Sequence, residues 1–241
     1  MKQFAIIGLS YFGKNVLDEL LELGTEVLVI DKDREVIDQY RDRAISAFVI
    51  DALNEASLRQ ILPKDLDGVV IDMGEKIEAS ILATSYCRKI GIAQIIVKAE
   101  TEEHAEILEL VGATRIVFPN REAAKRITPL LASSVLLNYL PVSGKLVIAE
   151  ISVPERFFGF SLLDVNLRKK FGLNLISVKN GDSEEYGLFS PEYVFRPGDV
   201  ALVSGTDDLL EAFCASTDKD RAKQRAPKFS NLGKLFGIGK K

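Results

Sequence analysis

Short β-branched apolar runs alternate with longer amphipathic stretches through the first half of the chain. Strands buried on both faces and crossed over by helices produce this pattern. The runs at residues 3–8, 26–31, 47–51, 68–72, 94–98 and 115–118 predict six strands. Between the first two, Val16, Leu17, Leu20, Leu21 and Leu23 fall on one helical face, and Gly24 stands where a helix C-terminus is capped. The expected class is α/β, a Rossmann-like doubly wound parallel sheet.

The pattern changes after Asn120. An apolar helical segment interrupted by Pro129 runs to about Tyr139, and Pro141-Val142-Ser143-Gly144 reads as a loop. Beyond it the sequence predicts strands at 145–153, 173–178, 186–189 and 200–204, with helices at 161–171 and 207–213. This is a small α+β C-terminal domain. The expected division is a nucleotide-binding domain with its linking helix at 1–140, a second domain at 141–214 and a basic flexible tail at 215–241. Gly233, Gly237 and Gly239 argue against a stable isolated helix in that tail.

Composition narrows the possibilities. At 241 residues, 47% hydrophobic and 27% charged, the chain can bury a core and is neither disordered nor fibrous. Two cysteines cannot build a disulfide framework, and the chain starts directly on an apolar strand-like run, so a cytoplasmic protein without a signal peptide is expected. No apolar stretch approaches the ~20 residues that span a bilayer. Residues 215–241 hold eight basic and two acidic side chains, a net of +6, so with the whole chain at −4 the first 214 residues carry −10. An acidic body speaks against nucleic acid as a partner, whereas a basic tail suits an anionic surface.

Gly8-Leu9-Ser10-Tyr11-Phe12-Gly13 leaves the first strand and opens the first helix, the position of a dinucleotide fingerprint. Its second glycine position is Ser10, which narrows the approach to a phosphate and also offers a hydroxyl. Asp31 ends the second strand, 23 residues past Gly8, where a carboxylate binds both ribose hydroxyls and repels a 2′-phosphate. Asp51 and Gly74-Glu75 follow the third and fourth strands on the same carboxyl edge. Strand-terminal aspartates also start turns and cap helices, and that reading of Asp31 and Asp51 stays open.

A soluble NAD-dependent dehydrogenase or redox sensor is the alternative such a fold suggests. Hydride transfer needs a positioned acid or base, and the single histidine, His104, lies in Glu102-Glu103-His104-Ala105, a helix start where a surface or interface role is expected. Cys87 and Cys214 lie apart in helical patterns, so no zinc or nucleophile constellation assembles. The expectation is a protein that is not an enzyme.

Several stretches carry a family resemblance: residues 4–13, Ile95-Ile96-Val97-Lys98-Ala99, residues 105–113, Arg115-Ile116-Val117-Phe118-Pro119, residues 162–168 and Arg196-Pro197-Gly198-Asp199. On these residues the chain resembles the KtrA-like cytosolic regulatory subunits of Ktr/Trk-type potassium transport systems, an RCK (KTN) domain followed by an RCK_C (TrkA_C) domain. The resemblance covers about residues 1–214. It implies a homo-oligomeric ring of dimers, peripheral on the inner face of the cell membrane and docked on a potassium-translocating KtrB/TrkH-like subunit. It also implies ADP, ATP or NAD(H) in the Rossmann cleft.

Carried over residue by residue, the resemblance implies that Gly8, Ser10 and Gly13 hold phosphates, Asp31 the ribose and Asp51 the adenine edge, with Gly74 and Lys98 on the phosphate side. Tyr11, Phe12, Lys32, Ala52 and Asn120 complete the candidate set. KtrA-like proteins can carry Arg in place of Tyr11 and an acidic residue in place of Asn120, groups that organise the terminal phosphate of ATP. Their absence leaves ADP, NAD(H) and a vestigial site open. In some members the positions of Leu162, Leu163, Arg168, Asn174 and Pro191 line a pocket for cyclic di-AMP, and guanidinium and amide groups suit that chemistry. Core packing of the leucines and a solvated Arg168 are the alternative. The basic tail, with Phe229, Leu232, Leu235, Phe236 and Ile238, fits contact with an anionic membrane at about 1 kcal/mol per basic residue, or a solvated terminus.

Overall fold

The computed structural model describes residues 2–180, 183, 185–187 and 189–225. The chain divides into two compact units between Arg121 and Glu122. In the first, β1 (Gln3–Ile7), β2 (Glu26–Asp31), β3 (Ser46–Val49), β4 (Gly68–Ile71), β5 (Ile95–Lys98) and β6 (Arg115–Val117) alternate with helices. These are α1 (Tyr11–Glu22), α2 (Arg34–Tyr40), α3 (Glu55–Ile61), α4 (Ile77–Ile90) and α5 (Glu102–Val111). The strands form one parallel sheet in the order β3-β2-β1-β4-β5-β6.

Burial explains why the strands read as unbroken apolar runs. Ala5, Ile7, Leu28 and Ile30 pack into the core on one face of the sheet, and Ile6, Val27 and Val29 into that on the other. Period-2 alternation distributes apolar side chains to both sides because helices cover both. The crossover from β3 to β4 reverses the direction of winding, so a crevice opens at the carboxyl ends of the neighbouring strands β1 and β4.

A helix, α6 (Pro119–Ala132), carries Pro129 and passes through the unit boundary. The second unit follows with β7 (Leu136–Pro141), β8 (Leu146–Ser152), a 3₁₀ turn (Glu155–Phe157), α7 (Leu162–Val165), α8 (Leu167–Phe171), β9 (Asn174–Lys179), β10 (Val200–Thr206) and α9 (Asp207–Arg225). Its sheet is antiparallel, in the order β7-β8-β10-β9. The core centres on aromatic rings: Phe213 lies 5.1 Å from Phe171 and 6.3 Å from Phe157 between centroids.

The second half departs from the sequence reading in four places. The helix expected to reach Tyr139 stops at Ala132, and residues 136–141 form an edge strand instead. Leu136 and Tyr139 are buried there opposite Ile151 and Ala149, so the unit boundary precedes the expected one near residue 140. The helix expected over 161–171 is broken at Asn166, whose φ of +45° ends α7 and whose side chain caps α8. The strand expected at 186–189 reduces to a bridge from Gly187 to Val178, with Leu188 outside the described residues. Finally, α9 continues to Arg225, so the first part of the expected flexible tail is helical. Residues 226–241, with the tail's five large apolar side chains, lie outside the described residues.

Candidate functional site

Strand register creates the site. Ile7 pairs with Ile30 on one side and Ile71 on the other, so Gly8, Asp31 and Asp72 emerge level with one another at the sheet edge. Gly8 has φ +85°, and a Cβ there would lie 2.1 Å from the Asp72 carbonyl oxygen, so this turn requires glycine. Ser10 then stands at the N-cap position of α1, which starts at Tyr11, but its side chain makes no capping bond.

Asp72 is 1% exposed and holds this corner together. Its Oδ2 accepts from the Ser10 hydroxyl and, at 2.8 Å, from the Gly13 amide. Oδ1 accepts from the Gly74 amide at 3.1 Å and lies 3.6 Å from Lys98 Nζ. Lys98 also pairs with Glu100 at 2.8 Å. Burial pulls the Lys98 ammonium down, but the two carboxylates outweigh it and hold its pKa above the ordinary lysine value. Sequence reasoning did not select Asp72. The available signal was its place at the carboxyl end of β4, matching that of Asp31 on β2.

Asp31 Oδ2 accepts from the Leu9 amide at 2.7 Å and Oδ1 from the Asp33 amide at 2.9 Å, while Asp33 caps α2. Asp31 therefore starts a turn and also grips the glycine loop. The Asp51 carboxylate accepts from the Leu53 amide and its carbonyl from the Asn54 amide, both at 3.0 Å, turn-starting contacts, and Asn54 caps α3.

A cleft of about 590 Å³ opens between these loops, within the range that holds small ligands. Gly8, Ser10, Asp31, Lys32, Asp51, Ala52 and Gly74 line it, with Ile30, Val36, Ile50 and Met73 as an apolar wall. The other candidates do not. Tyr11 is 85% exposed, and Phe12 packs into the core beside Leu9 and Leu17 because α1 has already begun there. Gly13 is buried behind the loop, its amide taken by Asp72. Lys98 and Asn120 border a separate hollow of about 80 Å³ beyond Asp72.

In the second unit, Leu162, Leu163, Arg168, Asn174 and Pro191 all line one open concavity of about 330 Å³, together with Asn166 and Phe189. They meet through the turn at Asn166 and not along a continuous helix face.

His104 corrects the surface expectation: it is 3% exposed. Its Nε2 lies 2.7 Å from Ser80 Oγ, and Nδ1 accepts from the Glu100 amide at 3.3 Å, which fixes the proton on Nε2. Burial lowers its pKa against the opposing charge of Glu100. Burial also pushes the Cys87 thiol up to about 12 and raises that of Cys214. Among the described residues no cluster of His, Cys, Asp and Glu is arranged to hold a metal ion, and no helix is long and apolar enough to cross a membrane.

Comparison with known proteins agrees with this architecture. The TrkA-N domain family matches residues 4–119 and the TrkA-C domain family residues 146–217. The chain is 34% identical to the Ktr system potassium uptake protein C of Bacillus subtilis (strain 168) over 208 residues, covering 86% of this chain and 94% of that protein. It is 31% identical to protein A of the same system over 212 residues, 88% of this chain and 95% of that protein. Among solved structures, the GsuK RCK domain superposes with a TM-score of 0.61 at 18% identity, over 90% of this chain and 47% of that one. The GsuK channel bound to NAD gives 0.60 at 19%, over 88% and 38%. The chain thus spans about half or less of these structures, which share its fold. Two domain families in this order, and this identity over nearly the whole of each relative, show that the chain belongs to the family of Ktr system potassium uptake proteins A and C.

Proposed function

We propose that this chain is the cytosolic, nucleotide-sensing regulatory subunit of a Ktr-type potassium uptake system, a regulatory and not an enzymatic role. The carrying observation is the cleft at the β1–β4 switch, where the Gly8 loop and the Asp31 carboxylate share one edge. An adenine nucleotide, ADP, ATP or NAD(H), occupies it, with the ribose on Asp31 and the base against Ile50, Ala52 and Asp51. The NAD carried by the structurally similar GsuK channel supports this class of ligand.

Control follows if the ligand binds two arrangements of the assembly unequally, because only differential affinity shifts a conformational equilibrium. The assembly is a homo-oligomeric ring of dimers on a potassium-translocating subunit of the KtrB/TrkH kind, peripheral on the inner face of the membrane. Cyclic di-AMP in the second concavity, with Leu162 and Leu163 over the bases and Arg168 and Asn174 at polar edges, is a further regulatory input. The basic residues after position 218 add attraction to anionic lipid.

Isothermal calorimetry with ADP, ATP and NADH tests the reading. Micromolar-class binding of at least one, weakened by Asp31→Ala, is expected, and binding of none of them overturns it.

A further inference from the structure

Asp72 occupies the place where the glycine loop meets the floor of the cleft, and it takes contacts that such a loop offers to a phosphate. The Gly13 amide, a first-turn donor of α1, is given to Asp72 Oδ2 at 2.8 Å. The Ser10 hydroxyl is bonded to the same oxygen, so Ser10 ties the loop to β4 and does not offer that proton to a ligand. Because the Asp72 side chain is wholly buried, its charge acts through protein and not through water. Lys98 does not cancel it: one ammonium lies 3.6 Å from Asp72 and 2.8 Å from Glu100, a single cation between two carboxylates. The cleft lining as a whole carries five carboxylates against the ammonium groups of Lys32 and Lys76.

Resting on the reading that an adenine nucleotide fills this cleft, we infer that Asp72 is a specificity-determining residue that sets the phosphate charge of the ligand. It favours a pyrophosphate-linked dinucleotide, whose two phosphates carry one negative charge each, over the terminal phosphates of ADP and ATP. The further charges that the terminal phosphates of ATP bring beside Asp72 together weaken its affinity on the order of tenfold.

The experiment measures affinities of NADH, ADP and ATP for the full chain by calorimetry, at low and high salt. Binding of NADH about tenfold or more tighter than ATP, with ADP between, is expected, and screening at high salt narrows the gap. Asp72→Asn should raise ATP affinity about tenfold and change NADH affinity less. Since the asparagine amide turns a donor toward the donors around it, Ser10→Gly combined with Asp72→Ala is measured beside it, and unfolding midpoints establish that each variant is folded. If neither folds, the wild-type order and its salt dependence decide. Equal affinity for NADH and ATP in the wild type, or an unchanged ratio in a folded variant, overturns the inference while leaving nucleotide binding intact. Binding of none of the three removes the underlying reading itself.

Discussion

The amide of Leu9 donates to Oδ2 of Asp31 at 2.7 Å, joining the residue after Gly8 to the end of the neighbouring strand β2. One carboxylate therefore serves both the shape of the loop and the proposed grip on a ribose. Substitution separates the two. Asp31→Ala strands the Leu9 amide, whose residue is 3% exposed, and should lower unfolding free energy by about 1–3 kcal/mol in urea titrations. Asp31→Asn keeps an acceptor for Leu9, gives up only the solvent-exposed bond from the Asp33 amide and should lose less stability than Asp31→Ala, yet bind NADH about tenfold more weakly by calorimetry, because the charge-assisted bond to the ribose is lost.

Gly8 and Gly24 both have a left-handed φ, +85° and +71°, but in different surroundings. A Cβ at position 24 meets nothing within 4 Å, whereas one at position 8 lies 2.1 Å from backbone that cannot move aside. Gly24→Ala should cost about 1 kcal/mol, the conformational penalty alone. Gly8→Ala should cost well over that and abolish nucleotide binding. Thermal denaturation of the two variants gives the comparison, and similar losses would contradict the close approach.

His104 predicts a pH dependence. In the unfolded chain it takes up a proton near pH 6.5, whereas burial between α4 and Glu100 lowers its folded value. Below about pH 6.5 the unfolded state thus binds more protons, so stability falls as pH drops through this window and levels off above it. It is the chain's only histidine, so His104→Gln should flatten this slope in urea midpoints measured between about pH 5.5 and 7.5.

Phe213 is 2% exposed and touches the rings of Phe157 and Phe171. Phe213→Ala should reduce the stability of the second unit by about 3–5 kcal/mol, the cost of a large cavity in an aromatic core. The first unit has its own core clusters, so binding of nucleotide to the cleft should survive under conditions where the second unit has melted. Calorimetric scans followed by NADH titration measure both outcomes.

Much of the first unit was readable along the chain. Each strand is short, apolar on both sides and bounded by a turn former, and the Gly8 loop follows β1 as a dinucleotide loop must. Reading failed where local pattern and tertiary role diverge. Residues 136–141 look like a helix continuation until pairing with β8 buries Leu136 and Tyr139. Asn166 carries no pattern that announces a positive φ, and the polar composition of α9 past Phe213 gave no apolar face to follow. Glu102 and Glu103 disguised His104, whose burial depends on Ser80 of another helix.

From the order of amino acids came the strands, the doubly wound class and the sheet edge on which the cleft opens, because hydrophobic periodicity and turn chemistry are local properties. Which carboxylates face the cleft and which hold the loop together was decided only by folding. Asp31, Asp51 and Asp72 all lie at the carboxyl ends of strands, yet the pattern along the chain singles out Asp31 and Asp51 and passes over Asp72. Strand order sets them apart: with β4 beside β1, Asp72 is buried under the glycine loop, Asp31 is shared between loop and cleft, and Asp51 is left at the rim.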